Sequence, residues 1–353
     1  MKILVTGCCG FVGYQIIKHL TETLDSSSFF GLDNLSRKGA ETNLIKLRKL
    51  RVKFFHGDVR LGSDLTELPN VDFVIDCCAN PSVLAGLNGE TSSRQLMEHN
   101  LFGTLNLLEF CKTNNAGLIL MSTSRVYSAE SLAKLPIVRE ENKFSLDNKY
   151  SELGISNKGI SEEFPTTPPL SLYGTSKMAS EALVLEYAHS FNFPVWINRC
   201  GVLAGAGQFG KADQGIFSYW IHSFREKKPL KYIGFNGTGY QVRDALHPKD
   251  LVPILIRQIQ EPDIEIPKTL NFGGGIENSM SLLELSLWCE KRFDSIPVVQ
   301  SKEERPMDAP WIVMDSSVAY KYWGWKPTTK IESILEEIAS HAERNSDWLF
   351  NST

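Results

Sequence analysis

The chain has little of what would set it apart from an ordinary globular protein. No stretch among its 353 residues approaches the run of about 20 apolar positions needed to cross a bilayer. Nor does a signal-like apolar segment precede the first strand-like run, so no membrane association and a cytoplasmic location are expected. Neither sign of charge is in excess: 37 Lys and Arg stand against 41 Asp and Glu. That balance offers no long-range attraction to a nucleic acid or an anionic membrane, and neither is expected as a partner. Cysteine is sparse and odd in number, with Cys8, Cys9, Cys77, Cys78, Cys111, Cys200 and Cys289 and no C-x-x-C pair. A disulfide framework and a metal site are therefore both unexpected, and the thiols read as small apolar residues packed at strand ends in a reducing compartment. Internal repeats and low-complexity linkers are also absent.

What is present begins at residue 2. Lys2 to Thr6 is a short, β-branched apolar run that breaks into Gly7-Cys-Cys-Gly10-Phe-Val-Gly13, and Ile16, Ile17, Leu20 and Leu24 then recur at helical spacing. Glycines at a strand-to-helix junction let the backbone turn tightly and approach a diphosphate, towards which the first helical N–H groups point. A second apolar run ends at Asp33, where an acid accepts hydrogen bonds from ribose hydroxyls and repels a 2′-phosphate. Strand and helix signals alternate onward, which predicts an α/β fold, a doubly wound, mostly parallel sheet of Rossmann type with a smaller α/β domain after it. The expected division is residues 1–199 for the first domain, carrying an insertion at 128–169, and 200–353 for the second, with 240–275 returning to the first.

Further along, the strand Leu118 to Met121 ends in Ser122-Thr123-Ser124-Arg125, and Tyr173-Gly-Thr-Ser-Lys177 opens a later helix. Tyrosine and lysine four apart share a helix face, so the ammonium sits beside the phenol. A phenol of unperturbed pKa about 10 is a poor base at neutral pH, and a nearby cation favours its ionised form. Ser128 to Pro169 is polar and weakly periodic, suggesting either an ordered lid or a mobile loop. Asn100 reads as a helix N-cap, and Asp58 as a turn residue after a strand. Arg243, with a guanidinium suited to phosphate oxygens, reads either as a diphosphate ligand or as the partner of Asp244.

Taken in order, the Gly7–Gly13 triplet, Asp33, the Ser-Thr-Ser strand end and Tyr173-x-x-x-Lys177 resemble the extended short-chain dehydrogenase/reductase superfamily. Its CDP-paratose (CDP-tyvelose) 2-epimerase branch is resembled most, through Asp33-Asn-Leu-Ser-Arg-Lys-Gly-Ala40, His56-Gly-Asp-Val-Arg60, Gly103-Thr-Leu-Asn-Leu-Leu-Glu109, Gln208-Phe209, Gln214-Gly215, Gln241-Val-Arg-Asp244 and Ser281-Leu-Leu-Glu-Leu285. The resemblance implies NAD as cofactor, held by Gly7, Cys9, Gly10, Phe11, Val12, Gly13, Asp33, Asn34, Ser36, Arg37, Asp58, Val59, Cys78, Ala79, Asn100, Ser122, Tyr173, Lys177 and Arg199. It implies Tyr173, Lys177 and Thr123 as catalytic residues. It also implies a nucleotide sugar, preferably a CDP-sugar of lipopolysaccharide O-antigen synthesis, met by Thr123, Ser124, Arg125, Gln208, Phe209, Gln214 and Arg243.

In that superfamily Asn100 kinks its helix and Asp58 meets the adenine, while Asp76 stands here where a histidine is usual. Dehydratases of the superfamily carry Asp-Glu directly after the threonine, an acid and a base for elimination. Ser124-Arg125 takes that place here, so an epimerase is expected, with transient oxidation of the sugar. A UDP-sugar 4-epimerase shares the core, and a non-catalytic NAD-sensing protein would not need the Thr123, Tyr173 and Lys177 set. The apolar excess of the helices around Asn100 to Cys111 and Tyr173 to Phe191 implies a homodimer or higher homo-oligomer.

Overall fold

The computed structural model describes residues 1–87, 89, 91–147, 153–211 and 214–352. Seven apolar runs, too short for helices, form the strands of one sheet: β1 (Lys2–Thr6), β2 (Ser28–Asp33), β3 (Lys53–His56), β4 (Phe73–Asp76), β5 (Gly117–Thr123), β6 (Val195–Cys200) and β7 (Thr269–Phe272). Their order is β7-β6-β5-β4-β1-β2-β3. The pairs β1–β2, β1–β4, β2–β3 and β4–β5 are all parallel. Inner strands are buried along their length, as a sheet covered on both faces requires: β1 from Ile3, all of β4, and β5 as far as Ser122. The Rossmann-type doubly wound sheet expected from the sequence is thus the fold of this chain. Because the order reverses between β1 and β4, the loops leaving those two strands diverge and open a crevice at their carboxyl ends.

Three helices matter for the site. Helix α1 (Phe11–Thr23) follows β1 and buries Ile16, Ile17 and Leu20. Helix α2 (Gly103–Asn114) is entered through a short helix, Ser93–Met97, and a π turn, Glu98–Phe102. The N-cap of that run is Ser92, in a reciprocal capping box with Gln95, so Asn100 is no cap; it lies inside the π turn, where the backbone bends. Helix α3 (Leu172–Phe191) precedes β6.

Contacts divide the chain into two compact units, each assembled from several stretches. Met1–Thr123, Leu172–Arg199 and Pro248–Leu270 form the first; Ser124–Ser171, Cys200–His247 and Asn271–Thr353 form the second. The segment expected as an insertion at 128–169 therefore clusters, from Ser124 to Ser171, within the second unit, and the returning stretch is 248–270 rather than 240–275. Hydrogen bonds explain the first difference. Phe144 N donates to Tyr240 O at 2.9 Å, and Ser281 Oγ to Asn142 O at 2.6 Å. The described part of this segment is ordered, with a helix at Ala129–Ala133 and a hairpin of Ile137–Arg139 with Phe144–Leu146; residues 148–152 lie outside the described residues. The second unit has its own core, including Trp220, Phe224, Leu285, Ile334 and Ile338. A small mixed sheet is centred on the strand Val242–Leu246.

Candidate active site

At the carboxyl end of β1 the chain turns through Gly7, whose φ is +60°. A Cβ on Gly7 would stand 2.9 Å from Cys77 O, and one on Gly13 would stand 2.3 Å from Gly7 O. Only glycine fits either position, which keeps the loop narrow and the start of α1 open. Gly10 is the N-cap of α1 and supplies no side-chain cap, and the first turn holds no acid. The positive end of the helix is therefore left for a diphosphate. Asp33 stands at the end of β2, nearly buried, and accepts from Cys9 N at 2.9 Å and Leu35 N at 2.8 Å. Burial raises its pKa, and these backbone N–H groups oppose the rise. The loop and its acid are held in one piece, a cradle that fits a dinucleotide.

Around this cradle the expected contacts are placed unevenly. Val12 and Cys78 are half-buried, Ala79 and Ser36 are exposed, and Arg37 is half-buried. Phe11 and Val59 are buried, Val59 within the hydrophobic core. Asn34 Nδ2 donates to Asp58 Oδ2 at 2.9 Å, so those two are brought together. Burial would raise the Asp58 pKa, but hydrogen bonds from Arg60 and Asn34 hold it well below the usual carboxylate range. Asp76, in the histidine's place, is buried and accepts from Thr6 Oγ1 at 2.8 Å, Cys78 N at 3.0 Å and Thr104 Oγ1 at 3.3 Å. Hydroxyl and amide donors thus solvate a buried acid.

Tyr173 and Lys177 project from α3 one turn apart and are 7% and 1% exposed. Thr123 is half-buried at the end of β5. Asn100 in the π turn accepts from Asn80 N at 2.8 Å and donates to Asn80 O at 3.1 Å and to Ser176 Oγ at 3.0 Å. One asparagine thereby links the loop after β4 to α3. Ser122 donates to Glu181 Oε1, and Arg199 forms a buried ion pair with the same carboxylate, at 2.6 Å. Sequence reasoning missed Glu181, although its position eight residues after Tyr173, on the same helix face, was a signal for it.

The second unit holds a cavity of about 130 Å³ whose polar lining includes Arg125, Gln214, Gln241, Arg243, Arg305 and Asp308. Arg243 donates to Asp308 Oδ1 at 2.6 Å and to its neighbour's carbonyl, Val242 O, at 2.7 Å. Burial lowers its pKa, which Asp308 partly offsets and a bound anion would offset further. The alternative partner, Asp244, is the next residue of the same strand and so faces the other way. There it accepts from the N–H groups of Gly275 and Met314, at 3.1 Å and 3.3 Å, and burial pushes its pKa up to about 6. Ser124 is buried, and Arg125 reaches Met307 O at 3.4 Å.

Two expected substrate contacts are held by other partners in this structure. Gln208 turns its amide to Leu203 O at 2.7 Å, and Phe209, 4% exposed, stacks on Trp348 with centroids 5.4 Å apart. Neither is among the residues lining the cavity, and Gln208 O accepts from Ser218 Oγ and Trp348 Nε1. Arg305 and Asp308, which sequence reasoning passed over, line it instead.

A family model described as the NAD dependent epimerase/dehydratase family matches residues 3–273. The chain belongs to this family. Within it, CDP-paratose 2-epimerase of Salmonella typhi is 33% identical over 323 residues, 86% of this chain and 89% of that protein. dTDP-glucose 4,6-dehydratase of Salmonella typhimurium is 24% identical, over 99% of this chain and 95% of that one. Among solved structures, UDP-glucuronic acid 4-epimerase of Bacillus cereus, in complex with UDP-glucuronic acid and NAD, superposes with a TM-score of 0.77 at 24% identity, covering 98% of this chain and 99% of that one. The chain is thus an NAD-dependent enzyme of the nucleotide-sugar epimerase/dehydratase family.

The thiols of Cys8, Cys9, Cys111, Cys200 and Cys289 are buried, and those of Cys77 and Cys78 are half-buried. Cys8 and Cys9 are fully buried with their sulfurs 3.9 Å apart, and with Asp33 they form a grouping of metal-ligand type within 4.8 Å. The hydrogen bond between the two thiols, then burial, raises the Cys8 pKa, and burial raises those of Cys78, Cys111 and Cys289.

Proposed function

We propose that this enzyme inverts C2 of a CDP-hexose of the paratose/tyvelose type. The observation that carries this reading is the end of β5, where Ser124 and Arg125 follow Thr123 and no carboxyl stands in the place of a dehydratase's acid and base. The 33% identity to a CDP-paratose 2-epimerase supports the choice of carbon and nucleotide. Gly7, Gly10, Gly13 and Asp33 would hold NAD, which would supply reversible acceptance of a hydride from one sugar carbon.

The residues of this chain would do the rest. Tyr173 takes the proton of the sugar hydroxyl, Lys177 favours the phenolate it needs, and Thr123 hydrogen-bonds the same oxygen. Arg243, with Arg125 and Arg305, would hold the nucleotide diphosphate. Three arginines against Asp308 leave two positive charges in the cavity lining, which match the two negative charges of a diphosphate joined to a neutral sugar. An anchor on the nucleotide leaves the sugar free to turn over, so that one base serves both faces.

Incubation with CDP-, UDP- and GDP-sugars followed by NMR of the products tests this. Expected is a CDP-sugar inverted at C2, with no deuterium at that carbon when the reaction runs in heavy water. Deuterium incorporation would overturn the mechanism, and inversion at C4 of a UDP-sugar would replace the reading with a 4-epimerase. We also propose self-association through Phe102, Leu185 and Phe191, 52%, 42% and 47% exposed around α2 and α3. Light scattering at micromolar concentration should give a dimer or larger assembly, and a monomer would contradict it.

A further inference from the structure

We propose that Glu181 is a positioning residue, whose buried carboxylate sets the catalytic helix against the strand that carries Thr123. This rests on the catalytic reading of Thr123, Tyr173 and Lys177. Tyr173, Lys177 and Glu181 follow one another at intervals of four on α3, so each is turned about 40° from the last and rises about 6 Å. All three lie on one buried stripe, at 7%, 1% and 1% exposure. Glu181 accepts from Ser122 Oγ, directly before Thr123 on β5. From β6 it accepts the Arg199 guanidinium, with Nε 3.1 and 3.0 Å from its two oxygens and the terminal nitrogen 2.6 Å from Oε2. One carboxylate thereby ties α3 to β5 and to β6.

A buried ion pair gives little net stability over apolar side chains of the same volume. Its value is directional. A bidentate guanidinium and a hydroxyl together fix both the rotation and the height of the helix, and a misplacement of about 1 Å between base and substrate costs on the order of a hundredfold in rate. The neighbouring flank of the same face is fixed separately, by Asn100 Nδ2 to Ser176 Oγ at 3.0 Å and Ser180 Oγ to Asn100 O at 3.2 Å. With both in place, the phenol of Tyr173 has a set position relative to the hydroxyl of Thr123.

Two variants separate this role from a merely structural one. Ser122→Ala removes the tie to β5 and keeps the ion pair; Glu181→Gln keeps the shape and removes the charge. With CDP-tyvelose as substrate, and NAD content and melting temperature measured on the same samples, kcat should fall roughly tenfold in the first and roughly a hundredfold in the second, with KM within about twofold of wild type. Glu181→Gln leaves the Arg199 cation uncompensated, which favours the phenolate, so the acid limb of the kcat profile should move to lower pH. Phenolate absorbance, taken as the difference from Tyr173→Phe, reports the same shift without any substrate. Normal kcat in Ser122→Ala, or an unshifted phenol in Glu181→Gln, overturns the proposal. If Glu181→Gln does not fold, Ser122→Ala decides alone. A Tyr173→Phe enzyme of normal rate would instead overturn the catalytic reading, and so is distinguishable.

Discussion

The first unit is built from continuous strands in a parallel sheet, and its functional groups sit at strand ends and on one helix face. The second, although both units are assembled from three stretches of chain, has only short strands, of two to five residues. In the first, chemistry follows from local pattern, because a strand end or a four-residue helical step fixes where a side chain goes. In the second, Arg125, Gln214, Arg243 and Arg305 come together in one cavity lining although up to 180 positions separate them in the chain. The two units should therefore respond differently to substitution: the first by losing rate, the second by losing affinity or its own stability.

The largest effect is expected in the first unit. Tyr173→Phe should lower kcat by about a thousandfold or more while NAD remains bound, since removal of a general base costs about 10² to 10⁴. Near-normal turnover would erase the distinction between the units.

The next effect concerns the stability of the second. His222 is fully buried, and burial, with the charge on His341 behind it, lowers its pKa to about 3. Against about 6.5 when unfolded, a depressed folded value means stability that is complete above pH ~6.5 and lost as pH falls towards 3. The loss is on the order of 4 kcal/mol. Asp244 has the opposite sign: its folded pKa of about 6 lies above the unfolded value of about 3.9, so it subtracts stability as pH rises from about 4 to 6. The two oppose each other across that window. In His222→Gln the opposition disappears, and the melting temperature should rise, relative to wild type, on going from pH ~6 to ~4. A parallel pair of melting curves would refute it.

Arg243→Ala should come third, raising KM for the nucleotide sugar roughly 10- to 100-fold, the range for a hydrogen bond to a charged group, with a smaller change in kcat. A pure kcat effect would place Arg243 with the chemistry instead. The smallest effect sharpens the account of the first unit. Asp33 should make NADP bind at least about tenfold more weakly than NAD by calorimetry, because a carboxylate at the end of the second strand repels a 2′-phosphate. Equal affinity would show that Arg37 accommodates the extra charge.

Residue order by itself determined the parallel sheet, the glycine turn, Asp33 and the Tyr173–Lys177 face. Each depends on a period of two or about 3.6, or on a glycine that no other residue can replace, and such constraints are local. Tertiary structure alone decided the rest. Alternation along one strand sent Arg243 to Asp308 and Asp244 to the glycine loops, although both were legible as neighbours. Trp348 drew Phe209 inward from a loop 139 residues earlier in the chain, so a residue that matched a family motif became core. Glu181 was visible as an acid on α3, but its partners Ser122 and Arg199 come from two strands. Long-range pairs of this kind leave no periodic trace, because what selects them is the requirement that buried polar groups find partners, and those partners are brought near only by the folded chain.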